Sequence, residues 1–153
     1  MLSGAQTTAD GDEAVEEQVA ARLGRQYLLR QKPEPEVRVV VDEFALRRPA
    51  AQGKTWEAQL LHLEAAALWP NVALQVLPFS AGAHHHMNGS LTLLRQRDGS
   101  AVAYTEGNSS GRLIEEPDQV LREHSSYDRL RDLALPPSDS LAFIRGVLGE
   151  HRS

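Results

Sequence analysis

The stretch from Asn71 to Leu94, which reads NVALQVLPFSAGAHHHMNGSLTLL, most constrains what this chain can fold into. Its two apolar runs, Val72–Leu77 and Leu91–Leu94, are rich in Val and Leu and are short enough to be strands. The segment between them contains Pro78, two glycines and three consecutive histidines, which is typical of a turn region. We therefore predict that the two runs are neighbouring core strands of one sheet.

Composition sets the broad class of the protein. A chain of 153 residues corresponds to about one domain, and the absence of cysteine excludes disulfides and thiolate metal sites. The net charge of −5 disfavours nucleic-acid phosphates as partners of the chain as a whole. No apolar run approaches the ~20 residues that span a bilayer, and the N-terminus lacks the basic and apolar segments of a signal peptide. We expect a cytoplasmic protein that does not contact a membrane.

The first part of the chain predicts a flexible N-terminus, 1–11, followed by a helix from Asp12. The helix is indicated by apolar residues that recur every four positions, namely Val15, Val19, Leu23 and Tyr27. Pro33 and Pro35 end it, because neither residue can donate a backbone hydrogen bond. The β-branched run from Val37 to Val41 then predicts a buried strand that ends at Asp42 and Glu43.

A loop with the sequence ALRRPAAQG follows, and Thr55 is placed to cap a second helix. The predicted apolar face of this helix consists of Trp56, Leu60, Leu63 and Ala67, with Leu61 and Leu68 beside them. Further along the chain, Asp98-Gly99 predicts a hairpin turn that joins strands Leu91–Gln96 and Ala101–Glu106. The segment 112–115 is a candidate for a short fifth strand.

Two helices close the predicted order. The first opens near Pro117, and its apolar stripe is Val120, Leu121, His124, Tyr127, Leu130 and Ala134. The second follows Pro136 and Pro137, and its buried side is Leu141, Ile144, Val147 and Leu148. The fold class is α/β, bordering on α+β, in the order α-β-α-β-β-β-(β)-α-α. We predict one mixed sheet of about four to five strands with helices packed on it, in a single domain of residues 12–153.

The three consecutive histidines are the first candidate for chemistry. Imidazoles bind Zn²⁺ or Ni²⁺, but adjacent side chains seldom converge on one ion, so a carboxylate such as Glu106 or Glu43 would have to complete the shell. His84, His86 and Glu106 are therefore weak metal candidates, and a solvated loop is the alternative. No cofactor is indicated by the sequence.

The acids that follow predicted strands are the second candidate. Asp42, Glu43 and Glu106 could perform acid/base chemistry or hold Mg²⁺, because ligands bind at strand ends in α/β sheets. Carboxylates are also common at strand ends because the chain emerges into water there. Arg47 and Arg48 could contact a phosphate or an acidic partner, or they could be solvated.

The sequence also resembles a domain of unknown function from high-GC Gram-positive bacteria. The resemblance is carried by the segments ARLGRQYLLRQ, VRVVVDEFALRRP, LLHLEAAALWPNVALQVLPFSAGAH, NGSLTLLR, AYTEG, RLIEEPDQV and YDRLRDLALPPSDSLAFIRGVL, which together cover about residues 14 to 148. That domain usually forms the C-terminal part of XRE-type helix-turn-helix transcriptional regulators, which are described as antitoxin-like.

The resemblance implies a cytoplasmic regulator in which a helix-turn-helix binds DNA while this domain senses a ligand, dimerises or binds a partner protein. Such regulators are often encoded beside a small partner protein. We expect no helix-turn-helix before residue 14, so direct DNA binding by this chain alone is not expected. Of the three histidines, only His84 falls on the family motif. No catalytic residues are established for the family, so none are carried over.

Two hypotheses of function follow. The first is a non-enzymatic ligand-sensing or protein-interaction domain of an antitoxin-like transcriptional regulator, here without its DNA-binding domain. Its expected interaction surface is formed by Asp42, Glu43, Arg47, Arg48, Phe79, His84 and Glu106. The alternative is a small metal-dependent hydrolase or nuclease that uses Asp42, Glu43, Glu106 and His84. The partner would be a small protein from a neighbouring gene or a small ligand, and a homodimer is also possible.

Overall fold

The computed structural model describes the backbone of residues 5–49, 53–107 and 110–152. The chain divides into two compact units, Met1–Val37 and Arg38–Ser153. The boundary between them falls inside the predicted single domain of residues 12–153. Each unit is described by itself below.

The first unit contains helix α1 (Ala5–Gln26), which continues into a short 3-10 helix (Tyr27–Arg30). The helix begins at Ala5 instead of the predicted Asp12, so residues 5–11 of the segment predicted to be flexible belong to its first turns. Residues 1–4 lie outside the described residues. The predicted apolar stripe is present, but all four of its members, from Val15 to Tyr27, are exposed.

The second unit alternates strands and helices. In chain order they are β1 (Val37–Asp42), whose first residue belongs to the first unit, α2 (Glu43–Arg47), α3 (Lys54–Ala66), β2 (Val72–Leu77), a 3-10 helix (Phe79–Ala81), β3 (Gly89–Arg95), β4 (Ala101–Gly107), β5 (Gly111–Ile114), α4 (Pro117–Leu133) and α5 (Pro137–Arg152). The mixed α/β class and the predicted order of these elements are confirmed. The short helix α2 is an addition, because its residues were predicted to lie in a loop.

The strands form two sheets, so the prediction of one mixed sheet is wrong. β1 and β2 form a parallel pair, and β3, β4 and β5 form an antiparallel sheet in that order. Contacts from Leu135, between α4 and α5, and from Ser140, in the first turn of α5, explain why β2 and β3 do not pair. Val76 of β2 donates its backbone N–H to the Ser140 hydroxyl at 2.9 Å and accepts a hydrogen bond from the Leu135 N–H at 2.8 Å. This part of β2 therefore has no backbone groups left for β3.

The main core lies around β2. Its buried members come from α2, α3, β2 and α5, and they are Leu46, Trp56, Leu60, Leu74, Val76, Ile144, Val147 and Leu148. Leu63 and Ala67 pack against this core, as the predicted face of the second helix requires. Leu61 and Leu68 are exposed instead, and so is Leu121 on α4. These three residues flank their helical stripes and do not belong to the packed face.

A second, smaller core lies under the antiparallel sheet. Ala103, Ile114 and Val120 are its buried members, and Leu91 and Leu93 pack against it from β3. The hairpin turn at Asp98-Gly99 is confirmed, since Gly99 has a φ of 89° and the Asp98 carboxylate accepts a hydrogen bond from the Ser100 N–H at 2.8 Å. Within the described ranges, none of the helices combines the length and the apolar content needed to cross a membrane.

Candidate functional site

The carboxyl ends of the two parallel strands bring the main candidate residues together. Asp42 is the last residue of β1, and Glu43 begins α2 directly after it. The 3-10 helix at Phe79–Ala81 and the loop that holds His84 follow β2. Because β1 and β2 are parallel, these segments emerge at the same edge of the sheet, which is where α/β folds bind ligands.

Asp42 uses both of its carboxylate oxygens inside the protein. Its Oδ1 caps α2 by accepting a hydrogen bond from the Phe44 N–H at 2.7 Å. Its Oδ2 lies 2.9 Å from Nε2 of His84, whose side chain is mostly buried. Because a carboxylate only accepts hydrogen bonds, we assign the ring proton of His84 to Nε2. Asp42 therefore joins the start of α2 to the loop after β2.

Glu43 is buried, with only 8 % of its surface exposed, and both of its carboxylate oxygens accept hydrogen bonds. Oε1 accepts a hydrogen bond from Nε of Arg47 at 2.7 Å, and Oε2 accepts one from the Phe79 N–H at 2.8 Å. A buried carboxylate needs such partners, since an unpaired charge is costly away from water. Glu43 thereby fixes the backbone of Phe79 against α2.

Arg47 extends this network to the last helix. Its Nη1 donates to Oε2 of Glu150 at 2.7 Å, and its guanidinium carbon lies 5.4 Å from the centre of the Phe143 ring. The hydrogen bonds to Glu43 and Glu150 raise the pKa of Arg47. Arg47 therefore ties α2 to α5 and is not a free cation that waits for a ligand.

The two consecutive acids bind the backbone N–H groups of two phenylalanines whose side chains are exposed. Phe44 is 52 % exposed and Phe79 is 57 % exposed, although the backbone N–H of each is bound to a carboxylate. The guanidinium carbon of Arg48 lies 5.4 Å from the centre of the Phe44 ring. We refer to Phe44, Arg48 and Phe79 as the Phe44–Phe79 surface. Its two aromatic rings and its cation are exposed to solvent, and the backbone N–H groups of Phe44 and Phe79 are held by the two acids.

The three histidines point to three different environments. His84 contacts Asp42, and His85 is exposed. Nε2 of His86 lies 3.0 Å from the Ser126 hydroxyl on α4 and 4.0 Å from Oε2 of Glu123. Burial lowers the pKa of His86 below 6.5, although the nearby Glu123 carboxylate opposes this shift. In the part of the chain that the structure describes, no three His, Asp or Glu side chains are arranged to hold a metal ion.

The structure thus brings most of the predicted surface together. Direct hydrogen bonds link five of its seven residues to this edge, namely Asp42, Glu43, Arg47, Phe79 and His84. Arg48 joins them through the Phe44 ring. Glu106 does not lie on this edge, because it belongs to β4 and pairs with Ser90 in the antiparallel sheet. Glu106 is separated from the other predicted residues because the strands form two sheets and not one.

Sequence reasoning did not include Phe44 or the polar side chains of α4 in the candidate site. Glu123 and Ser126 of α4 lie next to His86. Nε2 of His124 and the hydroxyl of Tyr127 are buried without a hydrogen-bond partner among the described residues. Burial raises the pKa of Tyr127, and the Arg131 charge opposes the shift. The helical stripe did place His124 and Tyr127 on the packed face, but it gave no sign of their unpaired atoms.

Comparison with known proteins places the chain in a family. No curated protein and no solved structure matches it. The family model for the domain of unknown function DUF5753 matches residues 2–146, which is nearly the whole chain. The chain therefore belongs to the DUF5753 family of domains of unknown function.

Proposed function

We propose that this chain is a non-enzymatic protein-interaction domain of an antitoxin-like transcriptional regulator, and that its partner docks on the Phe44–Phe79 surface. One observation carries the proposal. Each of the four carboxylate oxygens of Asp42 and Glu43 accepts a hydrogen bond inside the protein, and two of these bonds fix the backbone N–H groups of Phe44 and Phe79, whose side chains are exposed. Exposed aromatic side chains and arginines are the residues that dominate the energetics of protein interfaces. Fixing the backbone that carries such side chains lowers the entropic cost of binding.

The alternative of a metal-dependent hydrolase or nuclease has less support. That chemistry needs carboxylate oxygens that are free to bind an ion or to accept a proton. The oxygens of Asp42 and Glu43 already accept from Phe44, His84, Arg47 and Phe79. Nδ1 of His84 contacts no nucleophile among the described residues, so the Asp42–His84 pair lacks the third member of a catalytic triad.

The regulatory setting rests on the resemblance of the sequence segments to the C-terminal part of XRE-type regulators. In that setting the domain works in the cytoplasm, and DNA contact is the task of a separate helix-turn-helix. The natural partner is then a small protein encoded by a neighbouring gene. A partner with an apolar surface and acidic residues would complement the two phenylalanine rings and Arg48.

The test is binding of the purified chain to the product of the neighbouring gene, measured by calorimetry. The double variant Phe44→Ala/Phe79→Ala is expected to weaken binding about tenfold or more, the loss expected when interface anchors are removed. Leu68→Ala is the matched control, because Leu68 is also a large exposed apolar residue but lies in the turn after α3. Equal loss in the control, or wild-type affinity in the double variant, would contradict the proposal.

Ligand sensing is a second candidate, and a different observation favours it. Nδ1 of His84, Nε2 of His124 and the hydroxyl of Tyr127 are buried without a partner among the described residues. Native proteins leave few buried polar atoms unpaired. His86 connects the His84 loop to α4 through Ser126, the residue before Tyr127. A small uncharged molecule that both donates and accepts hydrogen bonds could satisfy groups of this kind.

Ligand sensing is tested by thermal unfolding in the presence of a panel of small amides, beginning with acetamide. Binding at this place raises the melting temperature of the wild type, and the rise is smaller in Tyr127→Phe, which lacks the hydroxyl. Leu121→Ala, an exposed change on the same helix, is expected to respond like the wild type. An equal response of wild type and Tyr127→Phe to every amide would remove this candidate.

A further inference from the structure

The antiparallel sheet has an open edge at β3. In the order β3-β4-β5, β4 is the one strand of the described residues that pairs with β3. The seven residues of β3 make it longer than β5 at the other edge, which has four. An edge strand presents a row of unpaired backbone N–H and C=O groups to whatever can pair with it. We refer to the residues Gly89–Arg95 as the β3 edge.

The hairpin turn determines which groups of β3 face outward. Gln96 donates its N–H to the Ser100 carbonyl at 2.8 Å, and hydrogen-bonded pairs alternate from there along an antiparallel ladder. Even-numbered residues of β3 therefore bond to β4, in the pairs Leu94–Val102, Thr92–Tyr104 and Ser90–Glu106. The second hairpin agrees, because Gly107 donates to the Ser110 carbonyl at 2.9 Å, so the odd-numbered residues of β4 bond to β5.

The odd-numbered residues of β3 consequently face away from the sheet. The N–H and C=O groups of Leu91, Leu93 and Arg95 form no other backbone hydrogen bond within the described residues. At the start of the strand, the N–H of Gly89 is already donated to the His86 carbonyl at 3.4 Å. The β3 edge thus offers a regular row of donors and acceptors, which is the requirement for strand addition.

We propose that the β3 edge pairs with the β3 edge of a second copy of this chain, antiparallel and about a two-fold axis at Thr92. In this register Leu91 lies opposite Leu93 of the second copy, and the two residues exchange both backbone hydrogen bonds. Thr92 lies opposite Thr92 of the second copy in a pair without hydrogen bonds, as its inward-facing groups require. The two three-stranded sheets then form one continuous sheet.

The side chains of this register are self-complementary. Leu91 and Leu93 both pack toward the small core of Ala103, Ile114 and Val120, so their pairing continues an apolar face across the axis. Arg95 lies opposite Gly89 of the second copy, and the two arginines stand about 20 Å apart at the rise of an extended strand. No like charges are therefore opposed. A two-fold contact of this kind closes on itself and stops at the dimer.

This inference is independent of the proposed function, because the β3 edge belongs to the other sheet. Sedimentation equilibrium of the full chain tests it. The wild type is expected at twice the monomer mass. Thr92→Glu is expected to be monomeric, because it places two carboxylates face to face at the axis on an exposed position. Mixing Thr92→Glu with Thr92→Lys is expected to restore a dimer that contains one copy of each.

Leu113→Glu is the matched control. Leu113 is exposed on β5, and it stands in the same row as Thr92 across the sheet, since both lie opposite Tyr104. The control adds the same charge at the other edge and is expected to remain a dimer. A monomeric wild type at high concentration, a dimeric Thr92→Glu, or loss of the dimer in Leu113→Glu would each overturn the proposal.

Amide hydrogen exchange of the wild type keeps the test valid if Thr92→Glu fails to fold. The amides of Leu91, Leu93 and Arg95 are expected to exchange more slowly as the protein concentration rises, because only the dimer protects them. The amides of Thr92 and Leu94 are bonded to β4 at every concentration and serve as internal controls. Equal concentration dependence in both sets, or none in the odd-numbered set, would contradict the pairing.

Discussion

The parallel sheet and the antiparallel sheet differ in how many of their side chains are buried and in how many of their backbone N–H and C=O groups are hydrogen-bonded. Around β2, eight buried side chains form one core, and the backbone of Val76 is bonded to Ser140 and Leu135. Under β3–β5 the described part of the chain has a core of three buried residues, and most of β3 is exposed. The outward groups of Leu91, Leu93 and Arg95 have no backbone partner within the described ranges.

This difference suggests a division of roles within residues 38–153. The parallel sheet contributes most of the buried apolar core, and the acids at its carboxyl edge accept hydrogen bonds from the backbone of the proposed Phe44–Phe79 surface. The antiparallel sheet contributes less buried apolar surface and keeps an edge that another strand can join. A protein can accept a less stable part of its structure where that part is completed by binding.

The largest expected effect is the loss of a side chain from the main core. Leu60→Ala removes a fully buried side chain between α3 and its neighbours, and it is expected to lower the free energy of unfolding by about 2–5 kcal/mol. Leu94→Ala makes the same change on an exposed position of β3 and is expected to cost less than about 0.5 kcal/mol. Urea denaturation measures both. Equal losses would break the comparison between the two regions.

A smaller loss of stability is expected when the hydrogen bond between Ser140 and the β2 backbone is removed. Ser140→Ala removes the hydroxyl that accepts from the Val76 N–H and donates to the Leu135 carbonyl at 3.1 Å. The buried N–H is then left unpaired, so the free energy of unfolding should fall by about 1–3 kcal/mol. Ser138→Ala, on an exposed position of the same helix, is the control and should change little. No loss for Ser140→Ala would argue that water takes over this bond.

The smallest expected effect is a dependence of stability on pH through His86. Burial lowers the pKa of His86 below its unfolded value of 6.5, so the folded state binds this proton less readily than the unfolded state does. The resulting stability is present above pH 6.5, decreases as the pH falls, and is lost below the folded pKa.

Proton NMR of the histidine rings measures the titration directly, and His86 is expected to titrate below 6.5. His86→Gln should make the free energy of unfolding less dependent on pH between about pH 8 and pH 5. His85→Gln removes an exposed ring that adds only a minor part to the lowering of the His86 pKa, so it should reduce the pH dependence less than His86→Gln does. A His86 titration above 6.5 would mean that the Glu123 carboxylate outweighs burial.

The sequence alone predicted the local elements well, because local patterns determine them. The bounds of Val72–Leu77 agree with the structure to the residue, and the Asp98-Gly99 turn joins β3 to β4 as expected. The predicted single sheet was wrong because Ser140, which closes β2 at Val76, lies 64 residues along the chain. No periodicity in a sequence encodes a contact at that separation.

The sequence predicted only part of the candidate site. Asp42 and Glu43 were predicted correctly, because the carboxyl ends of parallel strands lie at the same edge of an α/β sheet and the loop after β2 therefore lies near them. Phe44 was missed because a single aromatic residue on a five-residue helix produces no pattern. Glu106 was included on the assumption of one sheet, and the second sheet separates it from the others.

Amide hydrogen exchange at Phe44 and Phe79 tests the central claim most directly, because each amide should report on one of the two acids. In the wild type both amides are expected to exchange slowly despite their exposed side chains. Asp42→Asn should speed exchange at Phe44 more than at Phe79, and Glu43→Gln should do the reverse. Fast exchange at both amides in the wild type would contradict the account, because the two carboxylates would then be free for another role.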